Sequence, residues 1–260
     1  MAGLNVWPAS IHPERDVARV AAGEWRLQSP NGKQKGNSRR LRIRLAVWFT
    51  VQDEARFLSH QDMMRLMERA LARAKIPVKF SQGFNPRPQV TLPVPRPVGV
   101  SSQAEVLVME LAEAADPADV LARLKPMMPD GVDLTRCQPV QGMLSFQPES
   151  IDFVLELDAP RIQAVRQRIE ELAGGDSWPW IRQSPKTENS PKTLDLKPMI
   201  RHLALAGTTL AFTLVAVDQR WARAEEVLGL LGLDEVDLSR LVRTEVRWAQ
   251  GPDNSQSPAQ

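Results

Sequence analysis

At 260 residues, 43% of them hydrophobic and 25% charged, the chain is long enough to bury two cores of ordinary size, and two domains are expected. The single Cys137 excludes an intrachain disulfide framework and leaves too few thiolates for a zinc ribbon or an iron–sulfur cluster held by this chain alone. The net charge of +2 conceals a division, with 14 Lys/Arg against 4 Asp/Glu from Lys33 to Ala104 and then 6 against 14 from Glu105 to Trp180. The first stretch suits phosphates, while the second would repel nucleic acid, bind a basic partner or keep the protein soluble.

Residues 1–40 mix small, polar and charged types without a sustained period, and "SPNGKQKGNSRR" has the composition of a flexible basic tail. No continuous apolar core of a signal peptide occurs there, and no later window approaches the ~20 apolar residues of a membrane span. A cytoplasmic protein without a membrane anchor is therefore expected, with a second disordered tail at 251–260.

In residues 41–140, "LRIRLAVWF" alternates Leu41, Ile43, Leu45, Val47 and Phe49 with Arg42, Arg44, Ala46 and Trp48, which predicts a strand with one apolar face. Ser59 then caps a helix in which Met63, Leu66, Met67, Ala70 and Leu71 recur at helical spacing; Asp62 stands three residues after the cap. On the opposite face Arg65, Arg69 and Arg73 follow at i, i+4, i+8 as a basic stripe suited to phosphate contacts. "VKFSQGFNPRPQVTLPVP" predicts a proline-broken edge strand or a strand–loop–strand, "AEVLVMEL" a clear strand, "DPADVLARLKPMM" a helix capped by Asp116 with Pro117 at its first position, and "GVDLTRCQPV" a closing strand.

Residues 141–250 repeat that order. The strand "IDFVLEL" leads to the helix "APRIQAVRQRIEELAGG", closed by Gly174 and Gly175, and to an extended piece at "WPWIRQ". After the charged loop "SPKTENSPK" come "TLDLKPMI", a hairpin turning at Ala206–Gly207, a helix "RWARAEEVLGLLGL" and a final strand "LVRTEVRW". The fold class predicted is α+β, with two consecutive ferredoxin-like (βαββαβ) units and antiparallel sheets.

The loop "SQGFNPRP" carries the strongest chemistry. Pro86 and Pro88 restrain Asn85 and Arg87 to extended geometry, Gly83 permits a positive φ, and the stiffened tip presents three kinds of contact. Asn85 recognises an amide or base edge, Arg87 forks onto a phosphate or carboxylate, and Phe84 offers a stacking face. The blander alternative is a proline-locked turn in which Phe84 plugs the core. His60, at the first helical position, carries an imidazole that both donates and accepts. Glu105 is placed to pair with Arg87 or His60, a structural salt bridge being the simpler role. Beyond a hydrogen-bonded histidine, the only catalytic candidates are His60 and Glu105. No phosphate-binding glycine loop, zinc-hydrolase or serine-hydrolase motif occurs, and the three histidines are too scattered for a metal site.

The run from Arg56 to Glu105 resembles the radical-SAM-linked protein family, a bacterial domain of unknown function encoded beside, or fused to, cobalamin-binding radical SAM proteins. The likeness rests on Ser59-His60-x-Asp62, on Ser81-x-Gly83-Phe84-Asn85-Pro86, and on Gly99-x-x-Ser102-x-x-Glu105. Gln61, Arg87 and Val51 depart from the leucine, histidine and lysine common in the family. The resemblance implies a radical SAM protein as partner, with S-adenosylmethionine, the iron–sulfur cluster and cobalamin reaching this chain only through it. Together with the basic first half, it leads to the expectation of a non-catalytic, RNA-binding accessory protein in RNA modification. Its ligand-binding set would be Ser59, His60, Asp62, Arg65, Arg69, Arg73, Ser81, Gly83, Phe84, Asn85, Arg87 and Glu105, with the loop near His60 at the mouth of the principal ligand surface. The alternatives are an enzyme using His60 and Glu105 on a small anionic substrate, and a protein–protein adaptor working through the acidic half.

Overall fold

The computed structural model describes residues 43–140, 146–182 and 192–249; the tails expected at 1–40 and 251–260, and most of the charged loop after Gln183, lie outside them. The described chain is a mixed α+β structure with a mostly antiparallel sheet. Its strands are β1 (Ile43–Val51), β2 (Val90–Thr91), β3 (Ser101–Leu111), β4 (Val132–Pro139), β5 (Pro148–Glu156), β6 (Pro179–Arg182), β7 (Lys192–Asp195), β8 (Ile200–Ala206), β9 (Thr209–Val215) and β10 (Val242–Trp248). The helices are α1 (His60–Arg73), α2 (Pro117–Leu124), α3 (Ala159–Ala173), α4 (Ala224–Leu230) and α5 (Glu235–Leu238).

One eight-stranded sheet runs in the order β4-β1-β3-β10-β5-β9-β8, with β2 on β3, and β6 and β7 form a separate pair. Every pairing in the large sheet is antiparallel except β3 with β10, where Val242 faces Ser101 and Arg243 faces Ser102. β1 occupies one edge of β3 along its length. The other edge is shared, with β10 at the Ser101 end and β2 at Val108–Met109. The first and second halves of the chain thus meet at one short parallel contact within a continuous sheet.

Local chemistry accounts for most elements. Ser59 Oγ accepts from Asp62 N at 3.2 Å and opens α1, and Asp116 accepts from Ala118 N at 3.1 Å and opens α2 behind Pro117. Gly174 closes α3 in the right-handed region, at φ −78°. The last long helix is shorter than its sequence suggests: residues 220–223 stay outside α4, because Arg223 N donates to Glu226 Oε2 at 2.8 Å and fixes the helix start there, and the chain re-caps at Asp234 to form α5. "TLDLKPMI" is also divided, since Lys192–Asp195 pairs with β6 and only Ile200 joins the large sheet.

On the helix-bearing side of the sheet, Leu45, Val47 and Phe49 of β1 and Leu107 and Met109 of β3 bury Met67, Ala70 and Leu71 of α1. A second cluster packs Phe153, Leu155 and Phe212 under Val165 and Leu172 of α3 and Leu228 of α4. The expected single apolar face of β1 is a simplification: Ala46 is fully buried on the opposite face, with Val106, Val108 and Val140 and against Trp48, Phe146 and Trp248.

Candidate functional site at the junction of the two halves

Two β-bulges decide what stands at the β3–β10 junction. Between the pairs Glu105–Phe49 and Ser102–Val51, β3 uses one residue more than β1, and between Arg243–Phe153 and Glu245–Asp152 in β10, Thr244 is the additional residue. Simple alternation would place Arg243 with Glu245 and Arg247 on one face. The bulge turns it to the side of Phe153, just as the β3 bulge brings Ser102 and Glu105 onto one face.

The result is a buried ion pair. The side chains of Arg243 and Glu105 are 1% and 8% exposed and hydrogen-bonded through Nη2 and Oε1. Arg243 Nε also donates to Ser102 Oγ at 3.2 Å, and Nη1 donates to Pro95 O at 3.3 Å.

Arg96 sits beside this pair, fixed between Pro95 and Pro97 and itself buried. Its Nη1 donates to the carbonyls of Arg56 (2.6 Å), Pro97 (3.2 Å) and Val100 (2.6 Å), and its Nη2 to those of Leu58 (3.2 Å) and, more weakly, Ala55 (3.5 Å). The guanidinium therefore ties the 3₁₀ turn Asp53–Phe57 to the loop before β3. Gly99, at φ +88°, permits the return of that loop and donates its N–H to Arg56 O at 2.9 Å. Burial pushes the pKa of Arg96 down, partly countered by the charge of Glu105 and reinforced by Arg243. Two cations share one carboxylate.

Two cavities open on this cluster. A small one of about 10 Å³, room for about one water molecule, is lined by Ser59, His60, Met63, Leu92, Arg96 and Glu105. The larger, of about 540 Å³, lies between the Pro93–Pro97 segment and the second half, with Ile151, Phe153, Leu214 and Trp221 among its walls and Arg96 and Arg243 as its buried polar groups.

The structure brings together Ser59, His60, Ser102 and Glu105, and separates them from the "SQGFNPRP" loop. That loop is the tip of a hairpin springing from the other end of β3: Lys79 N donates to Glu110 O, Gln89 N to Lys79 O, and Ser81 N and Oγ engage Arg87 O and N at 2.8 and 3.0 Å. Lys79 Nζ pairs with Glu110 at its base. From Glu105 to Glu110 is about 16 Å of strand at ~3.3 Å per residue, and no described residue from Phe80 to Thr91 lines either cavity. The expected position of the loop near His60 is thus not the one observed, because β2 pairs with the Met109 end of β3. Phe84 does not plug the core: it is fully exposed, flanked by exposed Gly83, Asn85 and Arg87.

On α1, Arg65, Arg69 and Arg73 are exposed, while Met63, Met67, Ala70 and Leu71 are buried and Leu66 is half-buried. Arg65 pairs with Asp62 at 3.2 Å, Arg69 donates to Arg65 O and Arg73 to Met127 O. Asp62 accepts from Ser59 Oγ at 2.6 Å, which, with the Arg65 charge, holds its carboxyl below the usual range. It serves the helix start rather than His60. Glu105 pairs with neither Arg87 nor His60; Arg243, lying 138 residues away in sequence, takes that place.

Sequence reading missed Arg96 and Arg243. Arg96 left a faint signal, a lone cation between two prolines in an apolar run; Arg243 left none, because alternation in "LVRTEVRW" assigns it to solvent.

These features define an α+β protein whose two halves are joined through a buried, cation-rich cluster beside a large apolar cavity. The chain belongs to the family described as an uncharacterized protein conserved in bacteria (DUF2344), whose model matches residues 44–224. Arg243 lies beyond the matched residues. A comparison with the curated proteins finds no match.

Proposed function

We propose that this protein is a non-catalytic RNA-binding accessory to a radical SAM enzyme, acting in RNA modification, with the cluster, S-adenosylmethionine and cobalamin supplied by that partner. The observation that carries the RNA-binding reading is Phe84, fully exposed at the tip of a proline-stiffened hairpin beside exposed Asn85 and Arg87. An aromatic ring held in water at such a tip suits base stacking, and Arg87 suits a neighbouring phosphate. The chain leaves α1 at exposed Arg73 and passes exposed Lys75 before it enters this hairpin at Lys79. The radical SAM association and the cytoplasmic location rest on family resemblance and on the sequence; no helix among the described residues is long and apolar enough to cross a membrane.

The proposal includes two ferredoxin-like units. In support, the first half orders its strands β4-β1-β3-β2 and the second β10-β5-β9-β8, the same arrangement when only the strands of the large sheet are counted, β6 and β7 forming a separate pair. A catalytic role for Glu105 is disfavoured by its engagement with buried Arg243.

The test is the affinity for a single-stranded RNA 20-mer as a function of salt. Phe84→Ala is expected to weaken binding by about 1–3 kcal/mol, and Arg87→Ala to reduce the log–log salt slope by about 0.7. Absence of binding at low salt, an unchanged Phe84→Ala variant, or Phe84-dependent binding to anionic vesicles in place of RNA would overturn the reading.

A further inference from the structure

We propose that the cavity at the junction of the two halves is a binding site for a small organic monoanion with an apolar body, such as an aliphatic carboxylate. The proposal is independent of RNA binding, which concerns the hairpin at the other end of β3.

The volume, about 540 Å³, lies within the range of about 300–1,000 Å³ typical of small-molecule sites. Its walls are the apolar side chains of Val94, Ile151, Phe153, Leu214 and Trp221, with prolines 93, 95 and 97 forming a strap across one side. Three prolines in five residues leave that strap little freedom to lose, so the cavity is preformed.

Charge supplies the specificity. Arg96 and Arg243 both line the cavity and are 9% and 1% exposed. The acid hydrogen-bonded within the cluster is Glu105, which is bound to Arg243. The hydrogen bonds of Arg96 go to carbonyls, which solvate its charge without neutralising it. Arg243 spends three described hydrogen bonds, on Ser102, Pro95 and Glu105, of the five that a guanidinium offers. A buried cation in excess is costly, and one anionic group entering from the cavity balances the cluster. One excess charge favours a monoanion, and the apolar walls favour a hydrocarbon tail over a sugar or nucleotide. The rim carries Arg223 and Glu225, which are exposed and 3.8 Å apart, an arrangement that leaves the mouth accessible to solvent.

The experiment is isothermal titration calorimetry of the full chain with octanoate and, separately, octanol. These probes share a tail and differ in charge. Octanoate is expected to bind at least about tenfold more tightly than octanol, a difference of ~1.4 kcal/mol for a charge-assisted contact. Val94→Trp, which fills the cavity from the strap and leaves the arginines in place, is expected to weaken octanoate binding at least about tenfold while the melting temperature without ligand stays near that of the wild type. Equal affinity for the two probes, no binding of octanoate at millimolar concentration, or undiminished binding to a folded Val94→Trp protein would overturn the proposal, whether or not the hairpin binds RNA.

Discussion

Glu105→Gln removes the carboxylate hydrogen-bonded to Arg243, and its cost follows from the geometry. Breaking a buried pair by deleting one partner costs about 3–5 kcal/mol. Glutamine still offers an amide oxygen to Arg243, and Arg96 keeps its carbonyls, so the lower end, about 3 kcal/mol, is expected. Arg243→Met leaves the carboxylate of Glu105 without its hydrogen-bonded partner and strips buried Ser102 Oγ of a donor; at about 3–5 kcal/mol for a buried pair broken from one side, about 4 kcal/mol is expected. In the double variant neither a buried carboxylate nor Arg243 remains to be compensated. Its cost should fall short of the sum by about 2 kcal/mol, within the range measured for contacting residues. Urea unfolding of the four proteins, followed by tryptophan fluorescence, measures this coupling. Additivity within about 0.5 kcal/mol would refute the claim that the pair acts as a unit at the junction of the halves.

Met67→Ala is expected to cost about 2–5 kcal/mol, because Met67 is fully buried, and Leu66→Ala distinctly less, because Leu66 lies at the core's margin; equal losses in urea unfolding would show the helix face misassigned. Gly131→Ala is expected to destabilise by more than about 1 kcal/mol, since φ is +82° and the added Cβ would stand 2.5 Å from Gln52 O; an unchanged melting temperature would contradict this. Burial, aided by the charge of Asp116, pushes the Cys137 thiol up to about 11, so at pH 8 its reaction with a disulfide reagent should be at least about tenfold slower in the folded than in the unfolded protein. With the folded pKa above its ordinary value of 9.0, the stability tied to the protonated thiol is complete below that pH and is lost as pH rises toward about 11. A Cys137→Ala variant should lose correspondingly less stability over that window, and an identical alkaline profile would argue against the shift.

What the sequence determined by itself is local. The 3.6-residue recurrence of Met63, Met67, Ala70 and Leu71 defines which face of α1 is buried and leaves the three arginines outside, because side-chain direction in a helix follows from spacing alone. Ser59 and Asp116 mark helix starts because a cap needs only a short side chain and a nearby N–H. The prolines of the 86–97 stretch forecast a broken edge, and β2 is two residues long. Tertiary structure decided everything that depends on register. One extra residue in β3 and one in β10 reverse the faces of their neighbours, so Arg243 reads as a surface residue in a list of alternating letters and stands in the core of the fold. The same holds for the partner of Glu105: proximity in the chain suggested His60 or Arg87, whereas a parallel contact of two residue pairs between β3 and β10 delivered Arg243. Pairing between strands so distant in sequence is settled by the burial of both halves at once. No single segment carries that information, and so the cavity at their junction could not be read from either half.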